Sequence, residues 1–301
     1  MAIKTCPANT VVFREGEEGN TFYQVLAGGV GVFIGYETDE EKKLTDLGPG
    51  SFFGEIAALE SFRRTATIVT GPSGATLREM SYETLLDAFN ENPGLVFSLM
   101  QQIGRRTAVL SADCDEAHET LNALKGVTPT PAAPGLLDKV KIAAAYFFGL
   151  GKNTEKPTLE KEMAEGNYKH LREGYSMQVF SCDAGTVLYK EGDPGACMYA
   201  VHWGRVSVYT GYGTEKQRLV TDLYTDSFFG ELGMLCSLPR TATVVVSEDK
   251  TTLEIIKAED ISELFRKNPA KVWMILDHLI RRLRSLTREY ADVCSEIFSL
   301  Q

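Results

Sequence analysis

A chain of 301 residues with 44% apolar and 24% charged side chains has the makeup of a folded globular protein rather than a disordered one, and it is long enough to build two cores. Its net charge of −10 sits mainly in residues 1–125, which hold 10 basic and 18 acidic residues (−8), against 21 and 23 (−2) in 126–301. Neither half carries a basic excess, which argues against nucleic acid as a partner. Six cysteines without a CxxC spacing and only four histidines set no zinc pattern, so no metal is expected. The N-terminus lacks a signal-peptide pattern, and the longest apolar run, residues 142–150, falls well short of the roughly 20 residues that span a bilayer. A cytoplasmic protein without a membrane segment is expected.

Residues 6–106 align without a gap on residues 182–282, so the chain is read as one unit written twice. Each copy opens with a short strand, Val11–Phe13 and Val187–Tyr189, followed by a turn with two glycines, Arg14–Gly19 and Lys190–Gly195. Second strands are expected at 22–26 and 198–201, third strands after Gly28 and Gly204, and polar tips at 37–43 and 213–218. A further strand in each copy ends in Thr-Asp-Leu. Short strands cut by Gly and Pro turns predict a small antiparallel roll in each half. Cys6 and Cys182 hold equivalent places and are read as two core thiols, not a disulfide.

The next stretch, Phe52 to Thr67, recurs as Phe228 to Thr243 at an offset of 176 residues. Each has Phe-Phe-Gly-Glu, a short apolar run, and an Arg nine residues after the Glu. Gly lets the backbone approach a ligand closely, and a helix starting there points N–H groups at an anion. The Arg fork suits phosphate oxygens. An ionised carboxylate only accepts hydrogen bonds, which makes a sugar hydroxyl its natural partner. Phosphate together with ribose indicates a nucleotide.

These stretches resemble the phosphate-binding cassettes of the cyclic-nucleotide-binding domain family, whose pattern is Phe-Gly-Glu-Leu-Ala followed by Pro-Arg-x-Ala-Thr/Ser-Val. The resemblance implies that Glu55 and Glu231 take the ribose 2′-hydroxyl, and Arg64 and Arg240 the cyclic phosphate. Phe53, Gly54, Ile56, Ala57, Thr65 and Ala66 complete the first implied site; Gly230, Leu232, Gly233, Thr241 and Ala242 complete the second. The first cassette departs from the pattern at Arg63, where the family has Pro, as this chain has at Pro239. In the family a hydroxyl after the Arg meets the 2-amino group of a syn guanine, so Thr65 and Thr241 tilt toward cyclic GMP; a Thr favoured at a strand start is the other reading. The ligand is therefore left as cyclic AMP or cyclic GMP. A Glu/Arg ion pair in a degenerate roll is the alternative to a site, and such a scaffold would bind another nucleotide or a protein.

After each cassette, strands are expected at 66–70 and 241–246 and up to Met80 and Ile256, then short helices at 81–90 and 259–267. Asn92-Pro93 and Asn268-Pro269 start new helices. The second has apolar residues at Val272, Ile275, Leu276, Leu279, Leu283 and Leu286, one packing face, with Arg281, Arg282 and Arg284 on a solvated one. Arg105-Arg106-Thr107-Ala108 looks like a kinase pseudosubstrate, but Arg281-Arg282 stands at the matching place in the repeat, which favours a helix face. Tyr290, and Tyr146 and Phe147 for the first site, are candidates for stacking on a base, with core packing the competing reading. Residues 126–135 hold three prolines and read as a linker, followed by helices at 136–150 and 158–171 around a loop at 152–157.

The sequence thus predicts an α+β chain of two tandem β-rolls with flanking helices: a first nucleotide domain over 1–125, a linker and helix over 126–157, and a second domain over 158–301. It resembles the binding half of cyclic-nucleotide-dependent protein kinase regulatory subunits, and is related to catabolite-activator-type sensors. With no catalytic residues in a recognisable pattern, it is read as a non-enzymatic sensor that regulates a protein effector through the helices after each roll. The effector's identity and homodimer formation are left open.

Overall fold

The computed structural model describes residues 1–39, 41–60, 63–126 and 178–300. Apart from Gly126, the expected linker and the two helices after it, with Tyr146 and Phe147, lie outside the described residues. By contact the chain divides into two compact units. Described residues of the first fall in 1–102, 109–126 and 280–300, and those of the second in 103–108 and 178–279.

In the first unit the strands are β1 (Ala2–Cys6), β2 (Val11–Phe13), β3 (Thr21–Ile34), β4 (Lys42–Leu47), β5 (Phe52–Phe53) and β6 (Thr67–Ser81). They form one antiparallel sheet in the order β1-β6-β3-β4, with β2 on β6 and β5 on β3. Strand β1 precedes the start expected from the repeat. Its first four residues are all exposed, so it carries no inside–outside alternation to read. It is held as an edge by pairing with β6 and by Lys4 Nζ donating to Glu79 at 2.7 Å.

The break expected at Gly28 is a bend. Strand β3 runs on through two register shifts against β6, one on each side of Ala27-Gly28. Gly28 has φ 73°, and a Cβ there would stand 2.1 Å from the Gly74 carbonyl oxygen. Only glycine lets the two strands pass so closely.

The second unit holds β7 (Gln178–Cys182), β8 (Val187–Tyr189), β9 (Cys197–Trp203), β10 (Val206–Thr210), β11 (Arg218–Leu223), β12 (Phe228–Phe229), β13 (Thr243–Val246) and β14 (Thr251–Lys257). They form two antiparallel four-stranded sheets, β11-β10-β13-β8 and β12-β9-β14-β7. Here the strands do break, where Ser247-Glu248-Asp249-Lys250 replaces the glycine-containing Gly71-Pro72-Ser73-Gly74. Lys250 keeps the left-handed conformation of its counterpart, at φ 60° against 72° for Gly74.

The two cores repeat position by position. Tyr23, Val25, Val30, Phe53, Ile68 and Leu77 in one correspond to Tyr199, Val201, Val206, Phe229, Val244 and Leu253 in the other. At about 1.5–3 kcal/mol for each large apolar side chain buried, these outweigh the exposed ion pairs, worth about 0–1 kcal/mol each. Cys6 and Cys182 pack at the margins of these cores, and all six cysteines are free thiols.

Helices follow each roll as the sequence indicates. In the first copy α1 (Glu55–Glu60), α2 (Tyr82–Glu91) and α3 (Pro93–Leu124) follow in order. Ser81 and Thr84 cap α2 reciprocally, and Asn92 Oδ1 accepts from Leu95 N–H at 3.2 Å to start α3 behind Pro93. In the second copy α4 (Glu231–Cys236), α5 (Ile261–Lys267) and α6 (Pro269–Ser299) repeat this, with Asn268 Oδ1 accepting from Lys271 N–H at 3.0 Å. Val272, Ile275, Leu276, Leu279 and Leu283 are buried as expected, while Leu286 is half-buried. The expected solvated arginine face holds for Arg281; Arg282 and Arg284 are half-buried.

Within the first unit the last turns of α3 and α6 pack together. Cys114, Ala117 and Leu121 meet Tyr290, Val293, Cys294 and Ile297, each set at helical spacing. The helices run parallel, since His118 pairs with Glu289 and Lys125 with Glu296. Tyr290, a candidate for base stacking, is buried in this seam.

Candidate functional site

The first cassette is built where β5 ends. Gly54 at φ 77° turns the chain into α1, and Glu55 enters that helix almost completely buried, 2% exposed. Arg64, 4% exposed, lies back across the turn: Nη1 donates to the Gly54 carbonyl at 3.1 Å, and Nη2 to Thr21 Oγ1 at 3.4 Å. Its guanidinium carbon stands 4.0 Å over the centre of the Phe13 ring, a cation–π contact strengthened by burial. Burial holds the Arg64 pKa below its ordinary value, against the opposing pull of Tyr23, Glu17 and Glu55. The cation is retained, as arginine is in proteins generally.

The second cassette repeats this arrangement in the other unit. Gly230 is at φ 77°, and Glu231 is fully buried. Arg240, 5% exposed, donates from Nη1 to the Gly230 carbonyl at 2.8 Å and from Nη2 to the Cys197 carbonyl at 2.7 Å. Its guanidinium carbon lies 4.1 Å from the centre of the Tyr189 ring. In both copies the arginine Nε is buried and has no hydrogen-bond partner among the described residues. An unmade bond at a buried charged donor is costly, and an anionic acceptor beside it removes that cost. On this ground the residues fit a phosphate-bearing ligand.

Glycine supplies the room. A Cβ at Gly19 would meet Arg64 Nη2 at 2.3 Å, and one at Gly54 would meet Arg64 Nη1 at 2.7 Å; at Gly230 the distance to Arg240 Nη1 is 2.5 Å. In the second copy Gly195 and Gly233 touch backbone to backbone, a Cβ on Gly195 standing 2.4 Å from the Gly233 Cα. The main chain around each Arg is clamped in the same way: Arg64 N–H to Glu17 O at 2.7 Å and Arg240 N–H to Asp193 O at 2.8 Å. Thr67 and Thr243 each accept, at 3.0 Å, the N–H of the glutamate that opens the clamping turn, Glu15 or Glu191.

The departure at Arg63 has a structural counterpart. In the second copy Pro239 bridges Pro194; at the equivalent places in the first, Arg63 bridges Glu18. Arg63 donates to the Gly16 carbonyl at 3.0 Å and stands 3.7 Å from the Glu18 carboxylate. A solvent-exposed ion pair thus takes the place of two prolines that fix their own φ.

The residues expected from sequence gather around each Arg as follows. Phe53, Ala57 and Ala66 are buried with Glu55 and Arg64, Thr65 is half-buried, and Ile56 lies within α1. Leu232 and Gly233 are buried with Glu231 and Arg240, Ala242 is half-buried, and Thr241 is exposed. Sequence reasoning missed Phe13 and Tyr189 as the rings beneath the guanidinium groups; their aromatic identity at equivalent repeat positions is the signal that could have found them. It also missed a helix contact within the second unit. Residues 103–108 of α3 belong there, and a Cβ on Gly104 would stand 2.9 Å from Cys236 Sγ and 3.7 Å from Leu232 Cδ2.

Comparison with known proteins gives the family. The family model for the cyclic nucleotide-binding domain matches twice, over residues 3–92 and 179–268. A cAMP-dependent protein kinase regulatory subunit from Blastocladiella emersonii is 24% identical over 246 residues, covering 81% of this chain and 47% of that protein. The cAMP-activated global transcriptional regulator CRP of Salmonella typhimurium is 29% identical over 105 residues, covering 35% and 50%. The chain thus spans about half the length of the curated relatives it matches. Among solved structures, the regulatory domain of Toxoplasma gondii PKA with cAMP aligns over 94% of this chain and 85% of its own, at 19% identity and a TM-score of 0.30. The two matched segments contain the two cassettes in full, and the chain belongs to the cyclic nucleotide-binding domain family, with that domain present in tandem.

Proposed function

We propose that this protein is a non-enzymatic sensor that binds one cyclic nucleotide at each cassette and passes the binding event to a protein effector through the helices after the rolls. The observation that carries the reading is the twofold recurrence of a buried arginine, stacked on an aromatic ring, whose Nε has no partner among the described residues, together with a buried glutamate at the start of a short helix. The arginine neutralises the cyclic phosphate, and the glutamate accepts from the ribose hydroxyl. The relatives are named for cAMP, which makes it the first ligand to test. Cyclic GMP is the comparison, because the family resemblance gives Thr65 and Thr241 a guanine amino group as partner. Each roll with its cassette is a binding domain, within 1–125 and 158–301. The six free thiols suit a reducing cytoplasm; among the described residues no helix is long and apolar enough to cross a membrane.

A ligand shifts a helix only by binding one arrangement better than another. In the second unit Leu232 and Cys236 of α4 face Gly104 of α3, and Phe228 lies against His278 of α6 with ring centres 6.0 Å apart. A cassette drawn in around phosphate therefore pulls on both long helices. Hydrogen exchange with saturating nucleotide is expected to show added protection at 230–243, at 103–108 and beyond Pro269. Protection confined to the cassette would make this a passive binder. Glu231→Ala is expected to weaken the second site by about 1.5–3 kcal/mol, the scale of a hydrogen bond to a charged group. Calorimetry showing a loss equal to or above that of Arg240→Ala would mean the two roles are assigned wrongly.

A further inference from the structure

We propose that Cys114, His118 and Glu289 form a binding site for one divalent transition metal of zinc's class, set into the seam between α3 and α6 in the first unit. The Cys114 Sγ, an imidazole nitrogen of His118 and a carboxylate oxygen of Glu289 lie within 4.8 Å of one another. Cys114 and His118 are four residues apart on α3, so they share one face of the helix, and Glu289 comes from α6. Thiolate, imidazole and carboxylate together are a ligand set that zinc accepts, with a fourth position left for water.

The orientation of the imidazole supports metal binding. His118 Nδ1 lies 2.9 Å from the Cys114 carbonyl oxygen. A carbonyl can only accept, so in the neutral ring this bond puts the proton on Nδ1 and leaves the lone pair on Nε2. Nε2 is the nitrogen that faces Glu289, at 3.6 Å. Metal-ligating histidines are held in this way, with the second nitrogen donating to a backbone carbonyl.

Burial is graded across the three ligands. Cys114 is 3% exposed, and its thiol makes a long contact, 4.0 Å, to the Leu286 carbonyl. His118 is half-buried and the Glu289 side chain is 52% exposed. The buried thiol thus forms the floor, and the exposed carboxylate stands at the open side where a hydrated ion enters. On binding, the Cys114 S–H bond breaks, its proton leaves to water, and a metal–sulfur bond forms; no electron transfer is involved.

The seam provides its own control. The repeat offset that relates the two helices maps Cys114 to Tyr290, His118 to Cys294 and Glu289 to Asp113. The mirror corner therefore has one thiol and no imidazole. Cys294, fully buried in the same cluster, is not among the three ligands.

The test uses the full chain, stripped with a chelator and titrated with Co²⁺ and then Zn²⁺. One Co²⁺ per chain is expected, with a thiolate-to-metal charge-transfer band and tetrahedral ligand-field bands that Zn²⁺ abolishes. Cys114→Ser is expected to remove the charge-transfer band, and His118→Ala to lower affinity by more than the about 10–100-fold that losing a supporting second-layer partner costs. Cys294→Ala is expected to leave the spectrum unchanged. His118 is half-buried, so its variant tests the site even if Cys114→Ser unfolds. A wild-type chain that gives no thiolate band, or binding retained in full by His118→Ala, overturns the proposal.

Discussion

Replacing Arg240 with Ala is expected to weaken cyclic nucleotide binding at the second site by about 2–5 kcal/mol, the scale for truncating one member of a buried charged pair, or roughly 30-fold to several-thousand-fold in affinity. The size follows from burial. The guanidinium is 5% exposed and already oriented by the Gly230 and Cys197 carbonyls and by the Tyr189 ring, so a phosphate meets a fixed fork without solvent in competition. Arg240→Lys is expected to recover only part of the loss, because a single ammonium cannot hold two carbonyls and a phosphate in that plane. The same bonds make Arg240 structural, so thermal unfolding of the ligand-free variants must be measured alongside calorimetry. An affinity unchanged by Arg240→Ala would remove the phosphate from this position.

The second large effect concerns stability. Glu254, 1% exposed on β14, accepts from His202 at 2.5 Å and from Lys271 at 2.6 and 2.5 Å, tying strand to helix within the second unit. Burial alone would raise its pKa, but the bonds from His202 and Lys271 outweigh that and hold it below the ordinary 4.5. Lys271→Ala leaves this carboxylate with His202 alone, and is expected to destabilise the chain near the lower end of the about 3–5 kcal/mol for breaking a buried pair. Because the folded pKa is depressed, the contribution is fully present above the unfolded carboxylate value and is lost as pH falls through the folded one. Urea unfolding of wild type and Lys271→Ala should therefore differ most at neutral pH and converge in acid. A gap that persists unchanged in acid would place the effect in packing rather than charge.

How much of this was legible depended on whether the signal was local. The cassettes were readable because Gly54, Glu55 and Arg64 lie within one short stretch, and because Gly230, Glu231 and Arg240 repeat it. The paired strands, Asn-Pro helix starts and repeating cores followed for the same reason. Residues joined only by the fold were not readable. Phe13 lies far from Arg64 in sequence, and the Glu254 partners His202 and Lys271 sit on a different strand and a helix. Strand β1 has exposed side chains and is defined by its edge pairing. In the seam trio only Cys114 and His118 have a local spacing, and Glu289 reaches them only when α3 and α6 pack. The absence of a CxxC pattern therefore said nothing about it.

Two occupied cassettes in one chain is the central claim, and counting ligands by native mass spectrometry tests it most directly. With saturating cAMP, wild type is expected to carry two nucleotides per chain, and Arg64→Ala and Arg240→Ala one each at a concentration that fills only the intact site. A wild-type chain that carries neither cAMP nor cGMP, or two nucleotides still bound in both variants under those conditions, would contradict it.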